Sequence, residues 1–508
     1  MTQAVPKPQR LNALPLDGLP LRWPERRLIL FVGDALLLLS SGLLALAAWA
    51  AIRRDIVPNR EFISGEAPWL LGLSVAWLVL WTVNGGYDLR IASHARPLNR
   101  TLTSTALVFS LLYLLLFFFL SAPPASAFSP LPHLNKVRPL RVVPMLFIAF
   151  ALVAELSWRN LYLHLLTGEP FCRRTLVIGA GRSGRTIAQT LLERGDGSYR
   201  IVGFVDDDPD KVGHPVAVEP PEGCKESAPA SWRVLGNRHS LKDLIPQQGI
   251  NTLILAITQV DGELLPILLD CLELGVEIVP MAVLYEELTG RVPVDYVGGS
   301  WYVAMPIQHP GTGSLYRISR RLMDIALSSL GLAFLGLALP VIALAIYLDS
   351  PGPIFYTQER VGKGGRTFRA FKFRSMVTDA ERNGAVWAQQ NDSRVTRVGR
   401  LLRKTHIDEF PQFLNILKGE MSAVGPRPER PEFVEELASE IPFYRIRHAV
   451  KPGMAGWGLV QQGYAASKED VLLRLQYDLY YIKHQSWWLD TLILLKTIRD
   501  TLTLGGRA

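Results

Sequence analysis

Four long runs of apolar residues dominate the first third of the chain, and a more alternating pattern follows them. The runs are 28–52, 69–84, 103–122 and 140–166. A helix needs about 20 apolar residues to cross a bilayer, so each run has nearly the required length and the second is the shortest. The pattern predicts four transmembrane helices over 28–168, preceded by a cytoplasmic segment over 1–27.

Basic residues beside these runs predict the orientation of the helices. Arginines cluster before the first run, between the second and third runs, and after the fourth run, whereas the loop at 122–138 is rich in proline and serine. Loops with an excess of lysine and arginine stay in the cytoplasm. The rule predicts that the N-terminus, the second loop and everything after the fourth run lie on the cytoplasmic side.

The pattern changes to alternating strands and helices after the fourth run. Gly179, Gly181 and Gly184 follow one apolar strand-like stretch, and Asp206 ends the next one. A strand before the glycines and an acidic residue about 20 positions after them are features of a dinucleotide-binding turn. The pattern predicts a Rossmann-like cytoplasmic domain over 172–310.

The sequence leaves the ligand of this domain open. Its glycines are equally well explained by a tight turn and by close packing of the following helix. No catalytic tyrosine, cysteine or histidine constellation follows them. A regulatory nucleotide bound by Gly179, Gly181, Gly184 and Asp206, or no ligand at all, is therefore as consistent with the pattern as hydride transfer.

A fifth apolar run, at 322–348, differs from the other four. Pro340 lies near its middle, where proline removes a helix hydrogen bond and kinks the axis. Both flanks of the run are basic, so a simple crossing would place a strongly basic domain outside the cell, against the charge rule. We therefore expect a re-entrant helix that is broken at Pro340 and returns to the cytoplasmic side.

The composition agrees with a membrane protein. The 508 residues are 49% hydrophobic and only 20% charged, and the mean hydropathy is +0.17. The formal net charge of +8 is explained by basic residues that flank the apolar runs, so no nucleic-acid partner is expected. Three cysteines without metal or disulfide spacing (Cys172, Cys224 and Cys271) predict reduced thiols in a cytoplasmic domain.

Basic residues accumulate after the fifth run. Lys372 and Arg374 would share one face of a predicted strand, and arginine recurs at every third position from 394 to 403. Between 355 and 430 there are 15 lysines and arginines against 8 acidic residues. A solvated charged surface is the usual explanation of such runs. Here the surplus converges on the pair Asp408-Glu409, which favours an anionic substrate.

The adjacent carboxylates of Asp408 and Glu409 are the candidate catalytic groups. An Asp at a helix start is most often a cap, and Asp408 opens a predicted apolar helix. A carboxylate can also bind Mg²⁺ together with substrate phosphates, or attack phosphorus directly. The cations Lys372, Arg403 and Arg427 would then bind a diphosphate and stabilise the charge on its leaving group.

The C-terminal third, 315–508, resembles the bacterial sugar transferase family, the monotopic polyprenol-phosphate phosphoglycosyl transferases. Four spans and a Rossmann-like region before it resemble the long form of that family. The residues that carry the resemblance are Arg320-Arg321-Leu-Met-Asp324, Ser350-Pro-Gly-Pro353, Lys372-Phe-Arg-Ser-Met376, Arg403, Asp408-Glu409-Phe-Pro411-Gln, Lys418-Gly-Glu-Met-Ser422, Gly425-Pro-Arg427-Pro428, Lys451-Pro-Gly453, Gly456-Trp457, Asp478-Leu-Tyr-Tyr-Ile482 and Trp487-Trp488.

The resemblance implies a reaction. A UDP-sugar, with UDP-glucose or UDP-galactose expected, would donate its sugar-1-phosphate to undecaprenyl phosphate and release UMP, the first step of exopolysaccharide or O-antigen assembly. Asp408 would be the nucleophile of a covalent phospho-sugar intermediate and a ligand of Mg²⁺. Glu409 would assist the acceptor, and Lys372, Arg374, Arg403 and Arg427 would bind phosphate.

The resemblance also implies a place for the protein and points to two departures. It implies a homodimer in the bacterial inner membrane, with the catalytic domain on the cytoplasmic face. Pro340 matches the proline that breaks the re-entrant helix, but Leu339 stands where small members have serine. His406 stands where a small polar residue is common.

Two other functions are less consistent with the sequence. A membrane-bound nucleotide-sugar dehydratase or epimerase that uses NAD would need a second glycine turn before a Tyr-x-x-x-Lys pair. Tyr464 and Lys468 have that spacing, but no such turn precedes them in 315–463. A non-enzymatic scaffold is disfavoured because the complete set of carboxylates and cations is present.

Overall fold

The computed structural model describes most of the chain. The described residues are 23–52, 60–92, 95–121, 142–165, 172–195, 197–218, 232–257, 261–294, 313–380, 392–463 and 467–502. Most of the segment predicted over 1–27 lies outside them, as do Cys224 and Tyr464. The chain divides into two compact units, namely Met1–Leu255 with Glu263–Val279, and Ala256–Gly262 with Pro280–Ala508.

The α-helices are named here in chain order. They are α1 (Trp23–Ile52), α2 (Arg60–Val83), α3 (Leu89–Ala92), α4 (Ala95–Ser121), α5 (Val143–Leu165), α6 (Arg182–Arg194), α7 (Leu241–Gln248), α8 (Leu264–Glu273), α9 (Met281–Thr289), α10 (Ser314–Asp349), α11 (Arg397–Lys404), α12 (Phe413–Lys418), α13 (Pro431–Glu440), α14 (Trp457–Gln462), α15 (Lys468–Lys483) and α16 (Trp487–Leu502).

The strands and 3₁₀ helices complete the described secondary structure. The strands are β1 (Arg173–Ile178), β2 (Tyr199–Val205), β3 (Pro215–Val216), β4 (Trp232–Gly236), β5 (Thr252–Leu255), β6 (Glu277–Pro280), β7 (Phe355–Val361), β8 (Thr367–Phe373), β9 (Ser422–Val424) and β10 (Gly453–Ala455). The 3₁₀ helices are Pro209–Lys211, Arg238–Ser240, Lys363–Gly365, Ile407–Gln412 and Tyr444–Ala449.

Helices occur at all five apolar runs. Within the described residues, four stretches are long and apolar enough to cross a membrane: Glu25–Ile52, Pro97–Leu116, Val143–Leu163 and Ser314–Asp349. The apolar part of α2, Ala67–Val83, is shorter, because the first turns of this helix contain charged residues. The helices and the α/β region together make this a membrane protein with an α/β domain.

The N-terminal helices pack around an apolar core that contains a buried ion pair. Trp77 and Trp81 are fully buried among them. Arg159 of α5 lies 2.5 Å from the carboxylate of Asp34 on α1 and 3.9 Å from Glu155 on its own helix. Charged groups within membrane helices are costly unless they are paired, so this contact joins α1 to α5 specifically.

The described strands of the first unit form one sheet in the order β3-β4-β2-β1-β5-β6. β1 pairs in parallel with β2 and β5, and β2 pairs in parallel with β4, whereas β3 is antiparallel to β4. The middle of β1 is fully buried, as expected for a parallel strand covered on both faces. The α/β class is thus confirmed, and a Rossmann-like nucleotide-binding domain stays a prediction.

The glycine turn after β1 has a local structural explanation. Gly179 has φ +102°, a conformation that L side chains rarely adopt. A Cβ at Gly184 would lie 1.9 Å from the carbonyl oxygen of Gly179, whereas a Cβ at Gly181 would meet open space. Two of the three glycines are therefore required by the turn and by its contact with α6.

The carboxylate of Asp206 is engaged within the same turn. It accepts hydrogen bonds from the N–H of Ala180 at 2.7 Å and from the N–H of Asp208 at 3.1 Å. The ammonium of Lys211 lies 3.2 Å away. Asp206 therefore fastens the end of β2 to the glycine turn, and nucleotide binding by this turn stays a prediction.

In the second unit, α10 is a continuous helix of 36 residues that includes Pro340. Large apolar side chains along it are exposed, among them Leu330, Leu337 and Val341. This exposure is the pattern expected of a helix surrounded by lipid. The break expected at Pro340 does not interrupt the helix.

Charged side chains bind the start of α10 to β9 and α12. The carboxylate of Asp324 accepts hydrogen bonds from the N–H of Ala423 at 2.8 Å and from the hydroxyl of Ser422 at 3.0 Å. Arg320 donates to the same hydroxyl at 3.2 Å. Arg321 donates to carbonyl oxygens in the last turn of α12 at 2.7 and 2.6 Å, where the unpaired carbonyls of a helix favour a cation.

The other end of α10 is bonded to the same unit. The carboxylate of Asp349 accepts a hydrogen bond from the N–H of Val398, at the start of α11, at 2.8 Å. Arg374 donates to the carbonyl oxygen of Ser350. Both ends of the long apolar helix are therefore anchored to one compact body.

Candidate active site

The carboxylate pair lies in the 3₁₀ helix Ile407–Gln412, not at the start of the apolar α-helix that the sequence indicated. The α-helical backbone begins only at Phe413, in α12. His406 precedes the 3₁₀ helix with φ +56°, in the left-handed region that histidine tolerates better than most residues. His406 therefore provides a left-handed residue between α11 and the pair, which gives this position a structural role.

Glu409 is neutralised by two cations. Its carboxylate accepts a hydrogen bond from Lys372 Nζ at 2.7 Å and two from the guanidinium of Arg427 at 3.0 and 2.5 Å. Burial alone would raise the pKa of Glu409, but the charges of Arg427 and then Lys372 hold it well below its usual range. Glu409 is therefore an ionised and fully engaged carboxylate.

Asp408 is buried beside Glu409 but differs from it in every contact. Within the described part of the chain, its carboxylate has no hydrogen bond and no ion pair. Burial, followed by the charge of Glu409, raises the pKa of Asp408 to about 6, although Lys372, Arg427 and Arg403 oppose the shift. A carboxylate in this state has acceptor and nucleophilic capacity that no neighbour uses.

Separate elements supply three of the four predicted phosphate-binding cations. Lys372 comes from β8, Arg403 from the last turn of α11, and Arg427 from the loop after β9. All three line one cavity with Asp408. The structure thus brings together residues that lie up to 55 positions apart in the sequence.

Arg374, the fourth predicted phosphate-binding cation, lines the same cavity as Lys372, and phosphate binding by it stays a prediction. It directly follows β8, and its N–H donates to the carbonyl oxygen of Ile354 at 2.9 Å. Its guanidinium donates to the carbonyl oxygens of Ser350 and Pro351, just after α10. Arg374 lines the cavity, but its contacts are those of a residue that fixes the end of α10.

The backbone around Arg427 is held by the close pairing of β9 with β10 and by a buried ion pair. β9 pairs with β10, and a Cβ at Gly425 would lie 2.5 Å from a carbonyl oxygen of the opposite segment. Arg447 donates to the carbonyl oxygen of Arg427 at 2.9 Å and to the carboxylate of Asp478 at 2.8 Å. These contacts determine where the guanidinium of Arg427 can reach.

The cavity beside Asp408 has a volume of about 430 Å³, which is in the range of small-molecule sites. Among the described residues that line it, nine are arginine or lysine and two, Asp408 and Glu429, are acidic. A low-dielectric cleft with this excess of positive charge attracts polyanions. The cavity therefore fits a diphosphate better than a neutral ligand.

The sequence patterns did not indicate the part of the cavity that is formed by β7, α13 and α15. Arg360, Glu429, Arg430 and Arg474 line it, together with apolar side chains of the two helices. The only sequence signal was that Glu429 and Arg430 directly follow the Gly-Pro-Arg-Pro motif. Their convergence depends on how the helices pack.

Asp408 is the carboxylate available to a metal. The described residues contain no group of three or more His, Cys, Asp or Glu side chains that could hold a metal ion. At phosphoryl-transfer sites, however, Mg²⁺ is held by one or two carboxylates together with substrate phosphates. Both oxygens of Glu409 are bonded to cations and those of Asp408 are not, so the donor set fits Mg²⁺ at Asp408.

Comparison with known proteins places this site in a family. The family described as bacterial sugar transferase matches residues 315–504. The exopolysaccharide production protein PSS of Rhizobium leguminosarum bv. phaseoli is 39% identical over 197 residues, which are 37% of this chain and 97% of that relative. The chain therefore belongs to the bacterial sugar transferase family.

Two longer relatives carry names that state a substrate. The UDP-N-acetylgalactosamine-undecaprenyl-phosphate N-acetylgalactosaminephosphotransferase of Aeromonas hydrophila is 47% identical over 221 residues, 44% of this chain and 51% of the relative. The UDP-glucose:undecaprenyl-phosphate glucose-1-phosphate transferase of Escherichia coli (strain K12) is 39% identical over 196 residues, 38% and 42% of the two chains. The match thus spans about half the length of these relatives.

Proposed function

We propose that this chain transfers a sugar phosphate from a UDP-sugar to undecaprenyl phosphate and releases UMP. The observation that carries the proposal is the state of the carboxylate pair. Asp408 is unpaired in a strongly cationic cavity, while the adjacent Glu409 is bonded to Lys372 and Arg427. The names of the relatives support undecaprenyl phosphate as the acceptor.

In the proposed first step, a carboxylate oxygen of Asp408 attacks the phosphorus that is bonded to the sugar. The bond between this phosphorus and the bridging oxygen of the diphosphate breaks, and UMP leaves with that oxygen. Lys372, Arg403 and Arg427 offset the negative charge that builds on the phosphoryl and leaving oxygens.

In the second step, a phosphate oxygen of the lipid attacks the same phosphorus, and the bond to Asp408 breaks. The lipid phosphate needs no base, because it is already ionised at neutral pH. The low pKa of Glu409 and its three hydrogen bonds favour a positioning role, in which it orients Lys372 and Arg427. Mg²⁺ held by Asp408 and the substrate phosphates would reduce the repulsion between the anions.

We also propose that α10, although helical throughout, bends at Pro340 and enters and leaves the membrane on one side. Its start is bonded to β9 and α12 through Asp324 and Arg321, and its end to α11 through Asp349. A helix that crossed the bilayer would hold its two ends about 30 Å apart on opposite faces, where one body could not bind both. The catalytic unit would then lie on the cytoplasmic face of a bacterial inner membrane.

The test is transfer by the purified full-length protein in lipid nanodiscs with undecaprenyl phosphate, Mg²⁺ and a panel of UDP-sugars. The panel includes UDP-glucose, UDP-galactose and UDP-N-acetylgalactosamine, because the relatives differ in the sugar that they are named for. Asp408→Asn should abolish UMP release, whereas the exposed Asp243→Asn should retain it. UMP release by Asp408→Asn at the wild-type rate would rule out Asp408 as the nucleophile.

A further inference from the structure

Glu429 is an unexpected residue in this cavity. Apart from Asp408, it is the one acidic side chain among the described lining residues, and nine basic side chains surround the same space. A site that attracts polyanions loses affinity with each carboxylate it exposes. The position of Glu429 therefore calls for a ligand group that donates a hydrogen bond.

The contacts of Glu429 leave most of its acceptor capacity unused. One oxygen lies 3.4 Å from Arg360 Nη1, and the other lies 3.9 Å from Arg474 Nη1, beyond hydrogen-bond distance. A carboxylate can accept about four hydrogen bonds. The backbone carbonyl of Glu429 accepts a hydrogen bond from the N–H of Val361 at 2.9 Å, which fixes the residue against β7.

The two arginines on either side of Glu429 form with it a row of alternating hydrogen-bond donors and acceptors. Arg360 is held by the carbonyl oxygen of Pro428 at 3.0 Å, and Arg474 by the carbonyl oxygen of Gly463 at 2.8 Å. Along this side of the cavity the order is Arg360 as donor, Glu429 as acceptor and Arg474 as donor. A guanidinium has only donors, so a ligand that contacts the two arginines needs acceptor groups beside them.

Apolar side chains adjoin this array. Phe433 and Leu437 of α13, with Val471 and Leu475 of α15, line the same cavity. The guanidinium of Arg430 lies 5.7 Å from the centre of the Phe433 ring. Flat nucleobases stack on aromatic and arginine surfaces, so the apolar side chains and the Arg430–Phe433 pair offer a nucleobase a surface to pack on.

We propose that Glu429, between Arg360 and Arg474, recognises the uracil ring of the donor nucleotide. Uracil presents two carbonyl oxygens on either side of its N3–H. The carboxylate of Glu429 accepts the N3–H, and the arginines donate to the carbonyl oxygens. Cytosine has a lone pair at N3 and an amino group at C4, so it would face a carboxylate and a cation with the wrong polarity. This inference rests on the proposed function, because it assumes a nucleotide donor in the cavity.

The test compares binding of UMP and CMP to the full-length protein in nanodiscs with Mg²⁺, by isothermal titration calorimetry. The wild type should prefer UMP, and Glu429→Gln should lose on the order of tenfold in UMP affinity, since the amide oxygen can still accept the N3–H but no longer carries the charge that strengthens this hydrogen bond. In Glu429→Gln, the ratio of UMP affinity to CMP affinity should approach one. Glu429→Asp keeps the carboxylate and should keep the sign of the preference.

Glu436→Gln is the matched control, because Glu436 lies on α13 outside the cavity and pairs with Lys468 at 3.5 Å. It should bind like the wild type. An unchanged UMP/CMP ratio in a folded Glu429→Gln protein would overturn the inference and leave the proposed function standing. A wild type that binds neither nucleotide would overturn both. A variant changed only in its preference among UDP-sugars would assign Glu429 to the sugar and overturn the uracil assignment.

Discussion

At the scale of single residues, two adjacent carboxylates acquire opposite properties from their neighbours. Glu409 faces Lys372 and Arg427, so its pKa is held well below the usual range. Asp408 has no bonded partner among the described residues and lies next to an anion, so its pKa rises to about 6. Position along the chain does not distinguish these roles, whereas the direction of each side chain does.

The raised pKa of Asp408 predicts that this residue destabilises the fold when it is ionised. A carboxyl whose pKa rises from 3.8 to about 6 on folding costs on the order of 2–3 kcal/mol above pH 6, since each unit is worth about 1.4 kcal/mol. The cost disappears as the pH falls below about 4, where the group is protonated in both states. Asp408→Asn should therefore unfold at a higher temperature than the wild type at pH 7.5.

The measurement is thermal unfolding in detergent with a chelator, from pH 4 to pH 8. The stability difference between Asp408→Asn and the wild type should shrink as the pH decreases. Asp243→Asn, an exposed substitution in the first unit, is the control for removing a carboxylate elsewhere in the chain. A wild type more stable than Asp408→Asn at pH 7.5 would contradict the burial argument.

At the scale of elements, α10 is a structural part of the active site as well as a membrane segment. Asp324 binds the backbone of β9, and the chain continues from β9 directly to Arg427. Arg374 binds the far end of the helix and lies two residues after Lys372. The helix therefore positions both segments that supply cations to Glu409.

Asp324→Ala should destabilise the catalytic unit and lower its activity. The substitution leaves the buried N–H of Ala423 without its acceptor, and an unsatisfied buried donor costs about 1–3 kcal/mol. A decrease of several degrees in unfolding temperature is expected, together with a lower transfer rate at saturating substrate. Leu330→Ala is the control, because that side chain is exposed on the same helix. Equal effects of the two substitutions would contradict the anchoring role.

At the scale of the whole molecule, the family site occupies one of two compact units. The match to the Rhizobium relative covers 97% of that protein but only 37% of this chain. That family member therefore lacks a counterpart of most of the other residues of this chain. We therefore expect the first unit to be dispensable for the transfer chemistry. Homodimer formation and a ligand of the parallel sheet domain stay predictions.

Gly184→Ala should unfold the parallel sheet domain while the transfer reaction persists. Its Cβ would lie 1.9 Å from the carbonyl oxygen of Gly179, so the turn or α6 must shift. Gly181→Ala is the control in the same turn, because its Cβ would meet open space. Limited proteolysis followed by mass spectrometry should show faster cleavage within 172–279 for Gly184→Ala only. If Gly184→Ala lost its transfer activity as fast as the domain unfolded, the catalytic unit would depend on the first unit.

Much of this protein could be predicted from local patterns. Apolar runs of bilayer length indicated the membrane helices, because each helix satisfies its own backbone hydrogen bonds. The glycine turn indicated a strand-turn-helix unit, and Asp408, Lys372, Arg403 and Arg427 were recognised as one set. These features depend on residues close in sequence or on motifs with fixed spacing.

Only the tertiary structure decided the division of roles and the shape of the site. The 3₁₀ turn at the carboxylate pair, the bonds of Arg374 to the end of α10, and the array around Glu429 all depend on contacts between distant segments. Burial and neighbouring charges, which no local pattern encodes, separate the pKa of Asp408 from that of Glu409. The sequence by itself determined which groups are present, and packing determined which of them remain available to a substrate.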